Sequence, residues 1–100
     1  MELKVKFLTG KDRIVGLLNA KKAYPVMIQT RFGIHTFGMR FAIDVLILDK
    51  NNKVVKFSKN LNPNQIFLWN PAFDKVVELP AGEIERKKIK IGSKLKLIIN

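Results

Sequence analysis

A chain of 100 residues that is 47% apolar has enough hydrocarbon to build a core and is expected to form one domain over residues 1–100. The absence of cysteine excludes disulfides and thiolate metal sites, and a single histidine argues against a conventional zinc site, so no resident metal or cofactor is expected. Nineteen Lys and Arg against eight Asp and Glu give a net charge of +11, a field that attracts nucleic acid and other polyanions whether or not that is the function.

No apolar run approaches the roughly 18 residues of a membrane helix, and Met1-Glu2-Leu3-Lys4-Val5-Lys6 alternates instead of forming a signal-peptide core, so a cytoplasmic location is expected. Residues Glu2 to Leu8 alternate in the manner of a half-buried strand, with Leu3, Val5 and Phe7 on one face and Lys4 and Lys6 on the other. Thr9 to Asp12 then reads as a turn, and Asp12 is placed to cap a short helix from Arg13 to about Ala20. Pro25 ends that segment, and Val26 to Thr30 forms a second strand.

The stretch from Gly33 to Asp49 organises the chain. It holds the only histidine, His35, and ends in the apolar run Val45 to Leu48, bracketed by Asp44 and Asp49. Continued as one strand, it places His35, Phe37, Met39, Phe41, Ile43, Val45 and Ile47 on one side. Asp49 to Lys53 is a hairpin turn, because Asn accepts the positive φ such turns need, and Val54 to Ser58 pairs back. Lys59 to Asp74 is then a long irregular stretch whose rings, Phe67, Trp69 and Phe73, either fold over one end of the core or line a cleft. Lys75 to Leu79 is a further strand. Gly82 opens a helix over Glu83 to Lys88, with acidic residues in its first turn and Arg86, Lys87 and Lys88 in its last, the order that suits the helix dipole. Leu95, Leu97 and Ile99 alternate with Lys94 and Lys96 in a closing strand.

Together these elements predict a mostly β, α+β fold: a small, largely antiparallel β-barrel of about six to seven short strands with one or two short helices.

His35-Thr36-Phe37-Gly38-Met39-Arg40-Phe41, Ile43-Asp44, Glu78-Leu79-Pro80-Ala81-Gly82 and Ile91-Gly92 together resemble the motifs of a family of small prokaryotic proteins catalogued as domain of unknown function one hundred and ninety-two. In that family a Gly-Leu-Leu element precedes the histidine motif, as Gly16-Leu17-Leu18 does here, and proline is common at the position of Ala42. The resemblance therefore implies a bend between Arg40 and Ile43. It carries no established biochemical activity.

Two kinds of function fit these residues. A non-catalytic binding module would have a rim cleft near His35, Thr36, Arg40, Asp44 and Trp69, and a basic exterior for an anionic ligand or nucleic acid, with Arg86, Lys87, Lys88 and Lys90 as the densest anion-binding cluster. A small acid/base or metal-assisted enzyme would instead bring His35, Asp44 and Glu78 to one pocket, where the imidazole moves a proton or the three groups hold a divalent ion. The bland alternative gives these residues structural work: His35 capping a strand end, Asp44 paired with Arg40, and Glu78 paired with a lysine. The glycines fall into no phosphate-loop or dinucleotide spacing, which argues against nucleotide hydrolysis and nicotinamide chemistry. A partner protein docking on the 59–74 loop is a third expectation.

Overall fold

Six consecutive buried residues, Ile43–Leu48, form the strand at the heart of the protein in the computed structural model, which describes residues 1–9, 23–31 and 33–99. In chain order the elements are β1 (Glu2–Phe7), β2 (Val26–Gln29), β3 (Ile34–His35), β4 (Ile43–Leu48), β5 (Val54–Leu61), β6 (Ile66–Phe67), β7 (Lys75–Pro80), α1 (Glu83–Arg86) and β8 (Lys96–Ile99). The main sheet runs β5-β4-β7-β2-β1-β8, and β3 pairs with β6 in a separate two-stranded ribbon. The segment expected to be a helix capped by Asp12, including Gly16-Leu17-Leu18, lies outside the described residues.

Strand β4 has apolar residues on both faces because both faces of the sheet are covered. Side chains alternate along a strand. Ile43, Val45 and Ile47 therefore enter one core with Val26, Ile28, Val76, Leu61 and Trp69, while Leu46 and Leu48 enter a second with Leu3, Val5, Val77, Leu79, Ile84 and Leu95. β1 shows the expected alternation, with Leu3 and Val5 buried and Lys4 and Lys6 exposed.

The sheet is open, which corrects the expectation of a barrel, and it is mixed, although most strand pairs are antiparallel as expected. β1 lies parallel to both β2 and β8, whereas the β2–β7, β7–β4 and β4–β5 pairs are antiparallel. Closure would require the outer edge of β8 to pair with β5. Instead the start of β5 meets the segment just before β8: Val54 N donates to Ser93 O at 2.9 Å, Leu95 N to Asn52 O at 2.9 Å, and Lys53 forms an isolated bridge with Lys94. Among the described residues no ladder between β5 and β8 follows.

The hairpin after β4 forms where Asp49 and the asparagines predict it. The Asp49 carboxylate accepts from the amides of Asn51 (2.8 Å) and Lys53 (3.0 Å), and Asn52 takes φ 63°. Between Ile43 and Val45 the β4–β5 register slips, because two steps on β4 match three on β5 from Ser58 to Leu61. Such a bulge leaves one residue out of the ladder. Asn60 lies within it at φ 52°.

The expected continuous strand through the central motif breaks after His35. Thr36 is completely buried, and its backbone and hydroxyl serve as a clamp: its N–H donates to Gln65 O (2.9 Å), its carbonyl accepts from Met39 N (3.1 Å) and Asn64 N (2.9 Å), and its Oγ1 donates to Asn62 O (2.6 Å) while accepting from Gln65 N (2.9 Å). These bonds hold residues 36–39 in a turn that Gly38 completes at φ 79°, a left-handed conformation suited to glycine. The bend expected between Arg40 and Ile43 is present, since strand pairing resumes only at Ile43, but it begins earlier, at Thr36.

Candidate functional site

Asp44 is 1% exposed and its carboxylate is fully engaged by backbone amides. Oδ1 accepts from Asn60 N at 3.0 Å, the amide released by the bulge in β5, and Oδ2 accepts from Gly82 N at 3.1 Å and Ile84 N at 2.9 Å. The last two are free amides at the start of α1, whose own N-cap position, Gly82 at φ 95°, offers no side chain. Asp44 thus caps a helix that is remote in sequence and repairs a bulge in its neighbouring strand. No bond joins it to Arg40, which is exposed.

Glu78 lies on the other face of the sheet. In the β4–β7 ladder Asp44 stands opposite Leu79 and Val45 opposite Glu78, so the two acids alternate to opposite sides. Glu78 shares its face with Val45, Val26 and Val76. It is half-buried, it has no hydrogen-bond or ion-pair partner among the described residues, and burial pushes its carboxyl up to about 7.

His35 sits at neither place. It is exposed on the outer face of the β3–β6 ribbon, its Nδ1 accepts from Phe37 N at 3.2 Å, and its ring stacks on Phe37 with centroids 5.0 Å apart and planes 25° from parallel. The structure therefore does not assemble His35, Asp44 and Glu78 in one pocket. Among the described residues no cluster of three His, Cys, Asp or Glu side chains could hold a metal ion.

Trp69 is 7% exposed within the core, its indole N–H donates to Phe73 O at 2.8 Å, and its ring lies 5.8 Å from that of Phe67. Of the basic cluster, Arg86 is held by a forked bond to Glu83 (2.9 and 2.7 Å) and Lys87 by a longer pair to the same carboxylate (3.6 Å), whereas Lys88 and Lys90 are exposed. Glu83 thus offsets part of the charge that the sequence concentrates there.

What sequence reasoning missed is the outer face of the ribbon. Ile34 pairs with Phe67 and His35 with Ile66, so Ile34 and Phe67 turn inward and His35 and Ile66 outward. Leu68 continues the row over Gly33: a Cβ on Gly33 would lie 2.6 Å from Leu68 Cδ2. Phe37, freed from the predicted strand by the Thr36 turn, extends the row beyond His35. Phe37 is 48% exposed and Ile66 and Leu68 are each 61% exposed. Lys56 adjoins the same ribbon, donating to Leu68 O at 2.7 Å with its ammonium 5.0 Å from the Phe67 ring centre, and Lys59 lies over Phe57. Beyond the lone histidine, the sequence signal for this strip is the apolar run Ile66-Phe67-Leu68 in a polar loop.

Among the described residues no helix is long and apolar enough to cross a membrane. The DUF192 family model, described as an uncharacterized ACR, matches residues 8–97. The UPF0127 protein PF1050 of Pyrococcus furiosus is 32% identical over 89 residues, 83% of this chain and 76% of that protein. Two solved structures share the fold at low identity. A protein of unknown function from Novosphingobium aromaticivorans has a TM-score of 0.75 at 15% identity, covering 93% of this chain and 71% of its own. A provisionally assigned transcription regulator from Sinorhizobium meliloti has a TM-score of 0.71 at 14% identity, covering 93% and 78%. A match over nearly the whole length, together with a relative of this identity, places the chain in the DUF192 family.

Proposed function

We propose that the protein is a non-catalytic binding module for an anionic ligand, which it takes at the rim formed by the β3–β6 ribbon and the turn through Arg40. The observation that carries this reading is the exposed row His35, Phe37, Ile66 and Leu68, with Lys56 held at its Leu68 end and the exposed Arg40 following Phe37 by three residues, on a chain of net charge +11. Contiguous exposed apolar surface marks interaction sites, and the cations select the sign of the partner. Thr36 and Trp69 support that rim from inside, and Asp44 belongs to the opposite face of the sheet; none of the three touches the ligand. Arg86, Lys87, Lys88 and Lys90 add to the long-range field.

The test is an NMR titration of labelled protein with oligonucleotides and with inorganic phosphate at several salt concentrations. Shifts are expected at residues 35–40 and 66–68, with the logarithm of the oligonucleotide affinity falling linearly in log salt and a slope reduced by about one in Arg40→Gln or Lys56→Gln. Shifts confined to residues 86–90, or binding indifferent to both substitutions, would overturn the assignment of the rim.

A further inference from the structure

We infer that the ligand of this rim is a single-stranded nucleic acid, with a base stacked on the Phe37 ring and the phosphates beside Lys56 and Arg40; this rests on the anion-binding reading above. Three observations point the same way. First, the turn made by Thr36 and Gly38 holds Phe37 at the surface, out of the alternation that takes Ile43, Val45 and Ile47 into the core, and the ring is braced from one side by His35 at 5.0 Å. A braced ring with about half its surface open loses little freedom when a base lies against it.

Second, the strip is one ribbon wide, running from Leu68 over Gly33 through Ile66 and His35 to Phe37. A row of apolar and ring surface along two short strands fits successive unpaired bases, whose π faces need no sequence-specific hydrogen bonds. Duplex bases are already stacked on one another and present no such faces. Third, one cation stands at the border of the strip, at its Leu68 end, and a second comes three residues after Phe37 in the chain. Lys56 is anchored to Leu68 O at 2.7 Å, and Arg40 follows the turn with its side chain exposed. Bases on the strip would leave the backbone phosphates at that border. An acidic protein segment would also find the cations, but it has no use for a braced ring stack.

Fluorescence anisotropy with a short labelled oligothymidylate, a duplex of equal length and a poly-glutamate peptide tests this on the intact chain. Phe37→Ala is expected to weaken oligothymidylate binding about tenfold at fixed salt while leaving duplex binding and the salt slope unchanged, and Phe37→Trp to retain affinity. Because Phe37 is exposed, the alanine variant should fold, and emission from buried Trp69 verifies that. If Phe37→Ala binds oligothymidylate as the parent does, while Lys56→Gln and Arg40→Gln still lower the salt slope, the stacking site is wrong and the anionic rim stands. If those two substitutions also change nothing, both readings fail. Poly-glutamate binding as tightly as oligothymidylate, with the same loss in Phe37→Ala, would overturn nucleic acid in favour of an acidic protein segment.

Discussion

The two faces of the central sheet treat a carboxylate in opposite ways. Asp44 and Glu78 are neighbours across the β4–β7 ladder, one register step apart. On one face Asp44 is almost fully buried and receives three backbone amides. On the other, Glu78 lies among valines with no partner among the described residues. Burial costs a charge dearly unless hydrogen bonds replace the lost water. The first acid finds those bonds in structure it helps to build, and the second is driven toward its neutral form, up to about 7. The same functional group beside the same ladder serves folding in one case and strains it in the other.

The largest effect is expected from Asp44→Ala, which would leave the Asn60, Gly82 and Ile84 amides without an acceptor. Three unmade bonds at a buried position place the loss on the order of 4 kcal/mol, measured by urea denaturation. Asp44→Asn should lose less, because one oxygen remains an acceptor, but its NH2 group would then face donors. A loss below about 1 kcal/mol for the alanine variant would show that water replaces the carboxylate and that the two faces are not so different.

Glu78→Gln sharpens the contrast from the other side. Its carboxyl is raised from 4.5 to about 7 in the folded protein, so between those pH values the folded state binds the extra proton. Stability contributed by this group is fully present below about pH 4.5 and is lost as pH rises through about 7. The parent should therefore lose on the order of 2–3 kcal/mol across that window, and Glu78→Gln should lose much less. Equal pH profiles for the two proteins would mean that Glu78 is solvated or paired in solution.

Much of this was legible in the sequence, and the reasons for the rest are physical. Period two located β1, the apolar run Val45 to Leu48 located β4, and Asp49 with its asparagines located the hairpin, because these signals depend on a residue and its near neighbours. That Asp44 and Glu78 point to opposite faces depends on a register between strands separated by more than 30 residues in the chain, about which local pattern is silent. The parallel return of β8 beside β1 is likewise a tertiary fact, and the barrel expectation failed where β8 does not go on to pair with β5. In the central motif, alternation alone kept Phe37 with Ile43 and Val45. The bend that sends it outward is made by Thr36 bonding to residues 62–65, so the hydrogen bonds of one polar side chain outweighed the period. Of the site, His35 and Arg40 were legible as unusual residues, whereas Ile66 and Leu68 became part of it only through the pairing of β6 with β3.

A third carboxylate separates the effect of a partner from the effect of burial. Glu83 is mostly shielded yet paired, with Arg86 at 2.7 Å and Lys87 at 3.6 Å, and the bond from Arg86 holds its carboxyl below the usual value of 4.5. The sign is thus the reverse of that for Glu78: the stability it contributes is present above about pH 4.5 and is lost as pH falls through the depressed folded value. Glu83→Gln should lower Tm at neutral pH by no more than a few degrees, since its short pair is with the exposed Arg86 and such pairs are worth little. The difference should shrink in acid and again in high salt, which screens the exposed cations but reaches the buried Asp44 cap far less. Thermal melts of the Asp44, Glu78 and Glu83 variants at neutral and acidic pH and in high salt would then separate three responses: a large loss that salt leaves alone, a difference that grows with pH, and a small one that fades with salt. If the Glu83→Gln difference persisted unchanged in high salt, its pairing would be shielded like the Asp44 cap, and the division would run between partnered and unpartnered acids with exposure playing no part.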